Sequence, residues 1–137
     1  MWIKVLMVLN VFFYRLTNGR LGSTMNGQSV LLLHTTGRKS GKTYITPTNY
    51  FRDGANYILV ASNWGKDKQP AWYWNLMHQK TAAIQVKDQS LQVSAREAVG
   101  DEYRRLWQYV TSKNEYYVRY QKQTIRQIPV VVLTPEK

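Results

Sequence analysis

A short cationic segment follows an apolar run and constrains this chain more than any other feature of its sequence. The apolar run is Val-Leu-Leu-Leu at 30–33, and Gly-Arg-Lys-Ser-Gly-Lys occupies 37–42. Glycine accepts positive φ at little steric cost, so the chain can turn tightly there. The amides and cationic side chains of such a turn can face one anionic group. The segment therefore predicts an anion site at the end of a buried strand.

Composition narrows the classes of partner and of site. The chain has 137 residues, of which 44% are hydrophobic, which fits one globular domain with its own core. It has no cysteine, which excludes disulfides and thiolate metal sites, and with only two histidines we predict no metal site. Its net charge of +11 indicates an anionic partner, namely a phosphorylated cofactor, a nucleic acid or a membrane surface.

The first 17 residues are predicted to form an amphipathic helix ahead of a main domain at 18–137. Residues 2–14 are mostly apolar but too short and too interrupted for a membrane span, and no small-residue cleavage site follows them. Two interpretations stay open for this helix. It docks on the core of the domain, or residues 1–14 make peripheral membrane contact. We expect a cytoplasmic protein, with membrane association in the second case.

The remaining pattern predicts a mainly β fold with antiparallel strands. Strands are expected at 30–36, 44–51, 57–62, 82–86, 91–95 and 128–133, with Pro47 marking a bulge or an edge. An Asp-Gly turn at 53–54 joins the second strand to the third. Helices are expected from Pro70, from Gly100 and around 116–120. About six strands with two or three short helices suggest a small barrel.

The spacing of the cationic segment argues against a nucleotide-binding P-loop. A P-loop has four residues between its glycines, whereas three residues separate Gly37 from Gly41. A helix should also follow, but Tyr-Ile-Thr-Pro at 44–47 is β-like and ends at a proline. Taken alone, the segment is either an anion site or a basic turn in solvent.

Seven segments in the same order resemble the deazaflavin-dependent nitroreductase family. The first is Val-Leu-Leu-Leu-His-Thr-Thr-Gly-Arg-Lys-Ser-Gly-Lys at 30–42. The next are Thr-Pro at 46–47, Arg-Asp-Gly at 52–54 and Val-Ala-Ser-Asn at 60–63. The last are Lys-Gln-Pro-Ala-Trp-Tyr-Trp-Asn-Leu at 68–76, Tyr-Gln at 120–121 and Arg-Gln-Ile-Pro-Val-Val-Val-Leu at 126–133. The resemblance covers roughly residues 15–135 and is specific because the segments keep their order.

The resemblance implies a split β-barrel of the FMN-binding type, with short flanking helices, that binds coenzyme F-420. This coenzyme is an 8-hydroxy-5-deazaflavin whose phosphodiester and glutamate tail is anionic; FMN is the less favoured alternative. The implied cofactor-binding residues are Arg38, Lys39, Ser40, Lys42, Pro47, Asn49, Ala61, Ser62, Asn63, Lys68, Pro70, Ala71 and Trp72. The implied catalytic residues are Ser62, Tyr117 and Tyr120, with Tyr116 as a further candidate on the substrate side.

The sequence departs from the family pattern at several positions. Tyr44 stands where arginine is common, which weakens one expected contact to the cofactor tail. Trp64 stands where the family usually has glycine, and its indole is expected to narrow the pocket. Asn114 and Tyr116 do not match the usual spacing of the substrate tyrosines.

Three functions remain open at this point. The first is an F-420-dependent reductase that transfers a hydride to an electron-poor small molecule such as a quinone, an enone or a nitro compound. The second is a non-catalytic module for single-stranded nucleic acid, which the clustering of tryptophans on one helix disfavours. The third is a carrier of deazaflavin or lipid. A homodimer is compatible with each.

Overall fold

The computed structural model describes residues 28–136 together with Leu9, Val11, Phe12, Tyr14, Arg15, Thr24 and Met25. The strands are β1 (Thr24–Met25), β2 (Gln28–Thr36), β3 (Thr43–Asn49), β4 (Phe51–Asp53), β5 (Asn56–Val60), β6 (Thr81–Val86), β7 (Gln89–Glu97) and β8 (Val130–Pro135). The helices are α1 (Ala71–His78), α2 (Gly100–Lys113) and α3 (Tyr116–Lys122), and a short 3-10 turn spans Asn63–Gly65.

All the strand pairs described are antiparallel, as the sequence predicted. The sheet runs in the order β1-β2-β6-β7-β8-β5-β4, and β3 pairs with β2 outside this path. Strand β2 organises one half, because it pairs with β3 from Val30 to Thr36 and with β6 at its centre. Strand β8 joins the other half, since β5 and β7 both pair with it.

The sheet buries both of its faces because successive residues of its central strands point in opposite directions. Leu59 and Val131 belong to one apolar cluster, which includes residues of α1. Their neighbours Ile58 and Val132 belong to a second cluster, which includes residues of α2 and α3. The apolar run at 130–133 is therefore fully buried, as predicted.

Several element boundaries differ from the prediction. The expected strand at 44–51 is divided, and between its two parts the amide of Tyr50 donates to the carbonyl of Ser29 at 3.1 Å. The third strand ends at Val60, because Ser62 takes helical dihedral angles and starts the 3-10 turn. Pro70 precedes α1 rather than lying in its first turn. Strand β1 was not among the strands expected from the sequence.

Most of the predicted N-terminal helix lies outside the described residues. The described residues between Leu9 and Arg15 are helical, and the hydroxyl of Tyr14 is fully buried against the sheet. It donates to the carbonyl of Gln85 at 3.1 Å and accepts from the amide of Lys87 at 2.7 Å. This contact favours docking on the core. No helix in the described part of the chain has the length and apolar character needed to cross a bilayer.

Candidate functional site

A pocket of about 1130 Å³ opens between β3, α1 and α3. It is formed by the end of β3, the end of β5 with the loop that follows it, the first residues of α1, the end of α2, and α3. The predicted site residues that line it are Pro47, Asn49, Ser62, Asn63, Lys68, Pro70, Ala71, Trp72, Tyr116, Tyr117 and Tyr120. The structure thus brings together segments that are more than seventy positions apart in the sequence.

The lining divides into flat apolar surfaces and polar groups. Pro47, Trp72 and Tyr117 supply apolar or aromatic surface, and Trp72 is largely buried whereas its neighbour Trp74 is 45% exposed. The loop before α1 adds the polar residues Ser62 and Asn63 and the cations Lys66 and Lys68. Such a mixture suits a planar ring system that carries polar edges and a negative charge.

The loop between β5 and α1 is held from behind by a single guanidinium. Arg126 donates to the carbonyls of Lys66 at 2.9 Å, Ala61 at 3.2 Å and Ser62 at 2.8 Å. It also donates to the side-chain oxygen of Gln69 at 2.7 Å. Burial lowers the pKa of Arg126, since no carboxylate is among these partners and Asp67 compensates only in part. Arg126 therefore fixes the loop that carries Ser62, without itself lining the pocket.

Arg126 is itself placed by a local hydrogen-bond network. The side chain of Gln121 donates to the carbonyl of Arg126 at 2.7 Å and accepts from the amide of Ile128 at 2.9 Å. The hydroxyl of Thr124 accepts from the amide of Arg126 at 3.3 Å. Gln121 and Arg126 both lie in segments that resemble the family, but only the fold shows that they act on the loop opposite.

The predicted cationic turn lies beside the pocket rather than in its wall. The amide of Gly37 donates to the carbonyl of Lys42 at 2.7 Å, which closes the turn, and Gly41 has a φ of 72°. The side chains of Arg38, Lys39, Ser40 and Lys42 are exposed and do not line the pocket. The predicted tight turn is thus present, with its cations in solvent.

Two elements connect this turn to the pocket. Strand β3 leaves the turn at Thr43 and reaches the pocket at Thr46, about 10 Å further on. On α1, the buried side chain of Asn75 accepts from the amide of Arg38 at 3.1 Å and donates to the hydroxyl of Thr35 at 3.4 Å. Trp72 lies about one helical turn before Asn75, so the turn and the pocket share one helix.

Ala61 contributes its backbone rather than its side chain. The residue is fully buried, its amide donates to the carbonyl of Pro129 at 2.9 Å, and its own carbonyl accepts from Arg126. It does not line the pocket, in contrast to Ser62 and Asn63 beside it.

Tyr117 and Tyr120 form the wall that faces the loop. Tyr117 is only 5% exposed, and burial raises its pKa to about 12, although a hydrogen bond with Asn49 opposes this shift. Its ring lies 6.2 Å from that of Tyr120, which is partly exposed. Tyr116 also lines the pocket but is 53% exposed, and the Arg119 guanidinium lies 5.1 Å from its ring. Tyr117 therefore keeps its proton far above neutral pH.

Comparison with known proteins identifies the family. The family model for the F-420H(2)-dependent quinone reductases matches residues 6–135. This chain belongs to that family. An F-420H(2)-dependent quinone reductase of Mycobacterium tuberculosis is 42% identical over 133 residues, which cover 94% of this chain and 89% of that protein. A second Mycobacterium tuberculosis protein, a putative quinone reductase of the same kind, is 38% identical over 77% of this chain and 88% of its own length.

Solved structures place this F-420H(2)-dependent quinone reductase family member among split barrels. An F-420-H2 dependent reductase is 35% identical, with a TM-score of 0.70 over 76% of this chain and 92% of that chain. A structure described as a domain-swapped dimer is 31% identical, with a TM-score of 0.71 over 92% of this chain and 96% of that chain. The predicted fold class, family and dependence on coenzyme F-420 are confirmed.

The pocket of this reductase fits a deazaflavin with an anionic tail. Its volume of about 1130 Å³ and its flat walls accommodate a fused ring, and the lysines of the loop face the same space. The cations of the turn continue this positive surface beyond the pocket, where a charged tail needs partners. The donor set therefore agrees with the cofactor that the family name specifies.

Several pocket residues of this family member were not predicted. Thr46, Thr48, Val60, Lys66, Asp67, Gln69, Lys113 and Asn114 also line the pocket. Lys66 and Gln69 could have been inferred from the charge and polarity of the loop. Asn114 and Lys113 could not, since their approach to the pocket depends on how α2 packs against the sheet.

Proposed function

We propose that this protein catalyses hydride transfer from reduced coenzyme F-420 to a quinone. The observation that carries the proposal is a single pocket that combines flat aromatic walls, polar loop residues and lysines, next to an exposed cationic turn. Bound F-420 supplies the hydride. The protein then needs to orient two planar molecules, exclude water and hold a proton.

The cofactor side is formed by the turn and the loop. Arg38, Lys39 and Lys42 hold the anionic tail, and Ser40 contributes its hydroxyl to the same turn. Lys68 neutralises the phosphate, and Ser62 and Asn63 hydrogen-bond the polar edge of the ring. These lie where the loop turns from β5 to α1, so their positions depend on Arg126. The remaining ring contacts come from Pro47, Asn49, Pro70, Ala71 and Trp72.

The acceptor side is formed by Tyr117 and Tyr120. A quinone that accepts a hydride also takes up a proton, and Tyr117 lines the pocket and is protonated at neutral pH. Because burial raises its pKa to about 12, Tyr117 stays protonated throughout the neutral range, and the stability linked to the raised pKa is lost as pH rises from 10 toward 12. Tyr117→Phe should lower kcat at least about 10-fold at pH 7, with the F-420 dissociation constant unchanged.

Stopped-flow mixing with reduced F-420 and menadione tests the proposal directly. We expect the absorbance of oxidised F-420 to appear with saturating dependence on menadione. Reduced FMN in place of reduced F-420 tests the alternative cofactor and should give no turnover. Binding of F-420 without oxidation would instead identify a carrier, and absence of binding would contradict both.

The remaining features of the protein are proposed on narrower grounds. We treat residues 1–17 as an N-terminal helical unit ahead of the barrel at 18–137, in a cytoplasmic protein. Contact of residues 1–14 with a membrane stays a prediction, which flotation with anionic vesicles would test.

A homodimer is proposed because a structure described as a domain-swapped dimer is 31% identical to this chain. Light scattering in solution measures that state.

A further inference from the structure

Trp64 occupies a backbone conformation that tryptophan rarely adopts. Its φ is 61° and its ψ is 22°, in the left-handed region, and it lies between Asn63 with a φ of 48° and Gly65 with a φ of 78°. A left-handed conformation suits glycine and disfavours a side chain as bulky as an indole. An unfavourable backbone that a folded protein keeps often marks a functional position.

The turn around Trp64 is pressed against α3, which limits where the indole can go. A Cβ atom added to Gly65 would lie 3.0 Å from the Cα of Tyr120 and 2.5 Å from the side-chain oxygen of Gln123. The amides of Gly65 and Lys66 are also bonded back to the loop, at 2.9 and 3.1 Å. The backbone is therefore fixed, and the indole projects from a defined point.

From that point the indole becomes part of the pocket wall. Trp64 lines the pocket and is 44% exposed, so one part of the ring is available to a ligand. Its ring centroid lies 6.4 Å from that of Tyr120, with the planes at 79°. Tyr120 in turn lies edge-on to Tyr117, the proposed proton donor. The three rings form one continuous aromatic border on the acceptor side.

We propose that Trp64, packed edge-on against Tyr120, forms an aromatic wall that selects flat, conjugated acceptors. A flat fused-ring quinone can lie against this wall with one face or one edge, whereas an acceptor with bulky groups out of its plane clashes with the indole. Trp64 is then a specificity-determining residue, and this role explains why the protein keeps a tryptophan in an unfavourable backbone conformation. This inference rests on the proposed quinone reduction, but its test does not depend on turnover alone.

Three variants separate the role of Trp64 as an aromatic wall from its other possible roles in the protein. Trp64→Gly removes the wall and relieves the backbone, so it should fold and raise the melting temperature by about 3–5 °C. Trp64→Phe keeps a smaller ring. Trp74→Phe is the matched control, because Trp74 is equally exposed at 45% but does not line the pocket.

The expected result is an exchange of specificity. In Trp64→Gly the KM for menadione should rise about 10-fold, while kcat and the F-420 dissociation constant stay within about twofold. The kcat/KM for a benzoquinone with two tert-butyl groups should rise in the same variant. The KM and kcat/KM values of Trp64→Phe should lie between those of Trp64→Gly and those of the natural protein. The values of Trp74→Phe should equal those of the natural protein.

A binding measurement keeps the inference testable if no turnover is found. Menadione should quench part of the tryptophan fluorescence, and that part should shrink in Trp64→Phe but not in Trp74→Phe. Equal quenching in both variants would contradict the role of Trp64 as the aromatic wall. So would an unchanged ratio of kcat/KM between the two quinones, or a change confined to F-420 affinity. Failure of the proposed function alone would abolish turnover and leave the quenching difference.

Discussion

The cationic turn at 37–42 and the loop at 61–69 are both needed for the proposed cofactor site, yet they are held in opposite ways. The turn is exposed and closed mainly by its own backbone, with one hydrogen bond from Arg38 to Asn75 on α1. The loop has four acceptors that converge on Arg126, about sixty positions away in the chain. The contribution of the turn to cofactor binding therefore depends on its charge, and that of the loop depends on the position of its residues.

This difference has a physical consequence for binding. Attraction between exposed charges extends over roughly 8–10 Å at physiological salt and weakens as salt is added. Hydrogen bonds within a partly buried loop depend on distance and angle, and salt changes them little. We therefore expect the turn to control how tightly the anionic tail is held, and the loop to control how the ring is oriented. Salt dependence separates the two contributions.

The largest effect is expected from Arg126→Met, which removes the four bonds and keeps the side-chain length. Unpaired carbonyls and a released loop should cost about 2–4 kcal/mol of unfolding free energy. Misplacement of Ser62 and its neighbours should lower kcat/KM about 100-fold, because a shift near 1 Å is enough. Urea unfolding and steady-state kinetics at low and high salt measure both.

Two control variants test whether Arg126 acts by holding the loop in position. Arg126→Lys keeps the charge and should recover part of the kcat/KM, whereas a purely electrostatic role would recover all of it. Arg104→Met alters a well exposed arginine of α2 and should change kcat/KM less than twofold. A loss that disappears in high salt would show that Arg126 acts as a charge on the cofactor rather than through the loop.

The second largest effect is expected from the double substitution Arg38→Ala and Lys39→Ala. At low salt the F-420 dissociation constant should rise about 30-fold, since two charge-assisted contacts to the tail are lost. In 1 M salt, where the screening length is about 3 Å, the difference should fall below about fivefold. The maximal rate with saturating F-420 should stay the same, which titration followed by kinetics at saturation would show.

The matched control replaces Lys80 and Lys87 with alanine, which removes the same charge from surfaces outside the pocket. It should raise the dissociation constant less than twofold. Equal losses in the two double variants would show that only the net charge of +11 matters and that the turn is not a site.

The contrast also shows which parts of the site a sequence can reveal. The cationic turn was predictable because its glycines, its charges and the strand before it are contiguous, so local chemistry determines the tight turn. The antiparallel sheet was predictable for a similar reason, because alternation and an Asp-Gly turn are local signals. Gly41 has the positive φ that the predicted tight turn needs from one of its glycines.

The support of the loop was not predictable in the same way. Nothing local to Arg126 indicates that its guanidinium reaches Ala61 and Ser62, since that contact depends on β5 and β8 being paired in the sheet. Asn75 is similar, because a polar residue in an aromatic helix does not reveal which turn it caps. The end of the third strand at Val60 was also missed, because apolar residues continued to Ala61 while the backbone had already turned.

A smaller effect is expected from Asn75→Ala, which cuts the bond between the turn and α1. The amide of Arg38 and the hydroxyl of Thr35 would lose their partner, which should cost about 1–2 kcal/mol of unfolding free energy. The F-420 dissociation constant should rise about fivefold at low salt, because the cations stay but their backbone is less fixed. Gln79→Ala is the control, since Gln79 caps the end of α1 and its exposed side chain donates to the hydroxyl of Thr36 on β2. An equal result in both variants would mean that the turn holds itself.

The smallest effect is expected from Tyr44→Phe, which removes a hydroxyl 3.2 Å from the Ser40 hydroxyl and keeps the ring. Because both groups are exposed, water replaces the bond, and the F-420 dissociation constant should change less than twofold. Tyr44→Ala should do more, since a Cβ added to Gly37 would lie 2.6 Å from the Tyr44 ring, which shows how closely the ring covers that glycine. Tyr44→Arg restores the residue common in the family and should tighten binding about threefold at low salt only. A rise of 10-fold or more in the F-420 dissociation constant of Tyr44→Phe would mean that the turn, like the loop, acts through fixed geometry.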